Sequence, residues 1–198
     1  SEEQARNSLR QALFVIRRPL VAKGRGLLVI DAHSVKLDPG ASVVDVTAFR
    51  RLAAQGTEAA LAEAARLYGG DLLEGLSIGE AMFESWLMAE RARLHEMAVK
   101  VFSGLLAKQV EAGTWEAGIE TALRLLALDP LQETGYRMLM RIHASQGRRG
   151  AALRQYQLCV DTLWRELRVD PEAETKRLYQ EILRQREQTT SESAVESP

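Results

Sequence analysis

Gly113 and Gly147 stand 34 residues apart, and each closes one stretch of helical periodicity and opens the next. This is the period of tetratricopeptide helix pairs. It constrains the fold strongly, because such a pair cannot hide its apolar faces alone and must stack on neighbours. The register predicts a small residue five positions after each glycine and an intermediate one nine after. The sequence places Gly118 and Ala122 there in the first unit, and Ala152 and Tyr156 in the second. Gly118 and Ala152 are therefore expected where the second helix of each pair closely approaches the first, with Trp115, Leu125, Leu139, Leu153 and Tyr156 filling the space between. The closing prolines, Pro130 and Pro171, are 41 rather than 34 apart, which lengthens the final helix of the second unit by about two turns.

The same periodicity predicts helices over 45–54, 58–68, 80–110, 115–128, 132–146, 150–167 and 172–187, with Gly69-Gly70 as a helix stop and the polar residues 188–198 as a disordered tail. The front of the chain reads differently. Ala5, Leu9, Ala12, Leu13, Ile16 and Leu20 recur on one helical face, and Pro19 is expected to end or bend that helix. Two short apolar runs, 27–30 and 34–37, flank the polar turn Asp31-Ala32-His33 and read as a hairpin. Pro39-Gly40 closes this unit, which puts a domain boundary within 38–44.

Several function classes find little support. With 46% hydrophobic residues the chain can bury a core without disulfides or a structural metal. Its one cysteine, Cys159, fits a reducing compartment and lies in a helical pattern as a small buried residue, so the expected location is cytoplasmic. No apolar stretch approaches the roughly 20 residues of a spanning helix, and no membrane partner is expected. His33, His95 and His143 are scattered without ligand spacing, so no metal is expected. Gly24-Arg25-Gly26 lacks the rest of a dinucleotide fingerprint, and the carboxylates alternate with Lys and Arg as on solvated faces. No cofactor and no catalytic residue is called, and the expected protein is not an enzyme.

Charge singles out the front helix. Residues 1–36 hold seven Lys/Arg against three Asp/Glu, while the remainder holds nineteen against twenty-four. Arg6, Asn7, Arg10, Gln11, Arg17 and Arg18 lie beside the apolar face, and such side chains donate to phosphates and read guanine and adenine edges. A basic amphipathic helix followed at once by a short hairpin is the last part of a winged helix-turn-helix, with the hairpin as its wing.

Further motifs follow in order: Tyr68 with Gly70-Asp71-Leu72-Leu73, Trp86-Leu87 to Arg91, Asp129-Pro130-Leu131 with Glu133, and Gly147 with Ala151-Ala152-Leu153 and Tyr156. In this arrangement the chain, from residue 5 to about 183, resembles the bacterial transcriptional activator domain of the antibiotic-pathway regulator family. The resemblance implies a mainly α fold. Residues 1–40 would be the C-terminal part of a winged helix-turn-helix, 41–187 a tetratricopeptide-like helical domain and 188–198 a tail. It implies a DNA-binding transcriptional activator, with the six polar residues above facing DNA. The helical domain would support regulation, homodimerisation, or contact with RNA polymerase or another regulatory protein. The chain starts at the apparent recognition helix, so the fragment alone is expected to bind DNA weakly or not at all. The alternative is a tetratricopeptide-like protein–protein interaction module of a larger signalling protein; a third class is the regulatory part of a multidomain enzyme. In the repeat register Lys100, Arg137 and Arg141 fall on inner helices, where they would line a groove for an acidic or phosphorylated partner, although Glu133 lies four residues before Arg137 and can pair with it.

Overall fold

Helices form where apolar residues recur three and four apart, and most of their ends carry a local stop. The computed structural model describes residues 2–21, 27–31, 34–38 and 40–195, with side chains described except at 19–21 and beyond 184. The element order is α1 (Glu2–Val21), β1 (Leu28–Ile30), β2 (Val35–Leu37), α2 (Asp45–Gln55), α3 (Glu58–Leu67), α4 (Ala81–Glu111), α5 (Trp115–Leu128), α6 (Glu133–Ser145), α7 (Arg149–Leu167) and α8 (Ala173–Val195). The chain divides into two compact units, Ser1–Arg50 and Arg51–Pro198.

In the first unit α1 continues two residues past Pro19 to Val21 instead of stopping before it. A proline removes one N–H and crowds the carbonyl four residues back, and here that disruption falls within the last turn, where few further helical bonds depend on it. Strands β1 and β2 pair antiparallel with Leu28 opposite Leu37, Val29 opposite Lys36 and Ile30 opposite Val35. Asp31 fastens the turn by accepting from the Ser34 backbone N and hydroxyl, each at 2.7 Å. The glycine-rich stretch at 22–26 and His33 lie outside the described residues.

In the second unit successive helices pack in pairs: α3 on α4, α4 on α5, α5 on α6, α6 on α7, and α8 against both α6 and α7. Thr57 caps α3 by accepting from Ala60 N, and Gly113 and Gly147 take φ of +70° and +71° at the ends of α4 and α6, where a left-handed residue favours glycine. A Cβ on Gly118 would stand 3.1 Å from Ile142 Cδ1, so α5 lies close against α6 there. Ala152 is fully buried with Met140 and Ile182, and Leu153, Tyr156, Leu178 and Tyr179 close around them, the two tyrosine rings stacked 4.0 Å apart. Among the described glycines the tightest approach is Gly135, whose Cβ would meet Leu126 Cγ and Cδ2 at 2.8 Å. That contact has no counterpart in the repeat register. α8 also runs as helix to Val195, into the segment expected to be disordered. Its Gln, Arg and Glu residues favour helix and can propagate one already nucleated by packing.

Candidate functional site

The rise and twist of α1 sort its polar residues into two rows. At about 100° per residue, Arg6, Arg10 and Arg17 fall within about 40° of one another along about 16 Å, and Asn7, Gln11 and Arg18 form a second row about 100° round the helix. All six side chains are exposed, and Phe14 between the rows is 72% exposed. Arg6 pairs with Glu2 at 2.7 Å, but with side chains 70% and 81% exposed the pair is weak and a phosphate can replace it. Arg10 Nη1 donates to Asn7 Oδ1 over 3.4 Å. The apolar Leu9 and Ile16 are also exposed within this unit. Lys36 on β2 is exposed as well, giving the hairpin a cation.

Arg137, expected in a partner groove with Lys100 and Arg141, stands in a buried polar cluster between α6 and α8. Its Nη1 donates to Glu172 Oε2 at 2.9 Å and to Thr175 Oγ1 at 3.0 Å, and its Nη2 donates to Thr134 Oγ1 at 3.1 Å. Glu133 lies 3.9 Å from Arg137 and accepts from the Glu172 backbone N and from the Thr175 hydroxyl. Thr175, fully buried, thus accepts from the arginine and donates to the carboxylate, which fixes the direction of each bond. Three hydrogen bonds from its two Nη atoms thus tie Arg137 into the fold. Arg141 Nη2 pairs with Glu174 Oε1 at 3.3 Å, and the same carboxylate lies 3.7 Å from Arg137. Lys100 is exposed on α4.

The motif pieces that lie apart in sequence meet in space. Arg91 donates from Nε to Leu72 O and from Nη2 to Leu73 O, both at 2.8 Å, binding the turn after Gly70-Asp71 to α4. Glu84 accepts from Ile78 N at 3.0 Å and Ser77 Oγ at 2.9 Å, and these bonds hold its carboxyl below the usual range. Asp129 accepts from Leu131 N and Gln132 Nε2, turning the chain from α5 into α6. The partners of Arg91 depend on how the turn packs on α4, 18 and 19 residues away, whereas the Glu84 and Asp129 bonds are local cap and turn contacts.

No redox or metal centre emerges among the described residues. Cys159 is fully buried beside Tyr136 and Leu163, and burial first, then the charge of Glu133, pushes its thiol up to about 12. No group of three or more His, Cys, Asp or Glu that could hold a metal occurs there, and no helix is long and apolar enough to cross a membrane. His143 is held below its ordinary pKa by burial and then by Arg148 and Arg154.

The bacterial transcriptional activator domain matches residues 44–183, most of the chain. The chain belongs to this family. The fold of the activator-domain chain is also that of a solved structure, Mycobacterium tuberculosis EmbR in complex with a low-affinity phosphopeptide: TM-score 0.64 at 22% identity, over 91% of this chain and 50% of that one. The chain thus spans half the length of EmbR. No curated protein matches it.

Proposed function

We propose that the activator-domain chain is the DNA-reading edge and regulatory core of a cytoplasmic, non-enzymatic transcription activator. The observation that carries this is the exposed double row on α1, three arginines in line and a second row of Asn7, Gln11 and Arg18, followed directly by an antiparallel hairpin. In this reading α1 enters the major groove, the arginines hold phosphates, Asn7 and Gln11 reach base edges, and the hairpin is the wing. The helical unit then supports dimerisation or contact with RNA polymerase or another regulatory protein. The winged-helix assignment of 1–40 and the activator-domain assignment of 41–187 belong to the same proposal.

The test is salt dependence in the whole protein. Each lost phosphate contact lowers the slope of log K against log salt by about 1, so Arg10→Ala with Arg17→Ala should flatten it by about 2 and weaken all DNA sequences alike. An unchanged slope would remove α1 from the interface. The helical-repeat interaction module remains the second reading, favoured by the exposed Lys100 and the half-open Arg141 pair. EmbR was solved with a phosphopeptide, and a phosphorylated or acidic partner is the chemistry those cations would take.

A further inference from the structure

A pocket of about 280 Å³ opens between the end of α3, the middle of α4 and the last turn of α5, lined by Tyr68, Gly69, Gly70, Phe102, Arg124, Ala127 and Leu128. Its one cation is fixed from two sides. Arg124 Nη2 donates to Ala65 O at 2.7 Å, and its guanidinium carbon sits 4.7 Å from the centroid of the buried Phe102 ring. Among the described residues Ala65 O is the only acceptor that Arg124 has, which leaves four of the five guanidinium N–H bonds for solvent or a ligand. A carbonyl at a helix C-terminus carries only a partial negative charge, so the guanidinium keeps most of its positive charge. The rest of the lining is Tyr68, Gly69, Gly70, Phe102, Ala127 and Leu128, mostly apolar residues beside a planar cation.

We propose that this pocket binds a small aromatic carboxylate, its carboxylate on the free edge of Arg124 and its ring against Tyr68, Ala127 and Leu128. Two observations select this chemistry, and a third sets the ligand's orientation. The volume, at the lower end for ligand pockets, is enough to seat a single substituted ring. The planar fork matches a carboxylate in two parallel hydrogen bonds, and because folding has already immobilised it, binding costs little further ordering. Glu74 Oε2 lies 3.0 Å from the position of a Cβ on Gly70, and Asp71 acts electrostatically on Tyr68. Those carboxylates repel an anion at the glycine end and direct it to Arg124. The site lies wholly in the helical unit and does not depend on the DNA reading.

The experiment titrates the ¹⁵N-labelled 198-residue chain with benzoate, benzamide and acetate and follows amide shifts at Gly69, Gly70, Ala127 and Leu128 and the Arg124 Nε–H. Benzoate should saturate these shifts with a Kd of about 1 mM or tighter, with benzamide and acetate each weaker by about tenfold or more. Gly69→Leu adds bulk at the mouth without strain, since its φ is ordinary and nothing lies within 4 Å of its Cβ position, and should abolish the shifts with the fold intact. Arg124→Lys keeps the charge without the fork and should weaken benzoate by about tenfold. Absence of saturation, equal response to benzoate and benzamide, or wild-type binding by a folded Gly69→Leu protein would overturn the proposal.

Discussion

Replacing Arg137 by alanine should destabilise the helical unit by about 3 kcal/mol, the lower end of the range for breaking a buried ion pair. Its side chain is 11% exposed and that of Glu133 9%, so the substitution leaves a carboxylate buried with its counter-charge gone. Thr175 and Thr134 also lose a charged donor. The lower end applies because Glu172 and Glu174, at 65% and 49% exposed, are screened by water and contribute little. For a unit of this size the loss corresponds to a fall in Tm of about 6 to 12 °C. Urea unfolding followed by far-UV circular dichroism should show a lower midpoint at unchanged m, and 0.5 M salt should barely alter the difference, because the pair is shielded from solvent. Arg137→Met combined with Glu133→Gln should recover part of the loss, since it removes both buried charges. A cost below about 1 kcal/mol, or a double variant no better than Arg137→Ala, would refute the account of this cluster as the fastening between α6 and α8.

Ala152→Leu should cost about 1 to 3 kcal/mol in the same melt, because the side chain would have to enter the filled space between Met140 and Ile182. His143 is kept below its ordinary value of 6.5 by burial, then by Arg148 and Arg154, so the unfolded chain takes up its proton first. Its contribution is therefore complete above about pH 6.5, falls as the pH drops through that value and levels off below the folded pKa; His143→Gln should flatten that decline in chemical-denaturation curves. Cys159, with its thiol pushed up to about 12 and no exposed surface, should resist alkylation by iodoacetamide at pH 8 in the native protein and react once unfolded. Rapid native labelling, followed by mass spectrometry, would contradict its place in the core.

The helices, the hairpin and the repeat were legible in the sequence because they follow from local rules. Apolar spacing identifies an amphipathic helix, and Gly113 and Gly147 mark turns that need a left-handed residue. Small residues at Gly118 and Ala152 in repeat register marked close helix approach: Ala152 packs on Met140 of the first helix of its pair, whereas Gly118 is tightest against Ile142 of α6, in the next pair. The basic row on α1 was equally visible, as its residues lie within eighteen positions of the N-terminus on one helix. Only the tertiary structure decided what these helices do to one another. Gly135 lies against Leu126 because α6 crosses the end of α5 there, and nothing in either segment alone shows it. Arg91 meets Leu72 and Leu73 across the turn before α4, and Arg137 meets Glu172 and Thr175 across 35 and 38 residues of chain. An isolated reading of Arg137 sees a cation on a helix face with a carboxylate one turn away. Whether that cation faces solvent or a neighbouring helix depends on packing, because burial makes an unpaired charge costly and sets its partners, and packing is a property of the whole fold rather than of any segment.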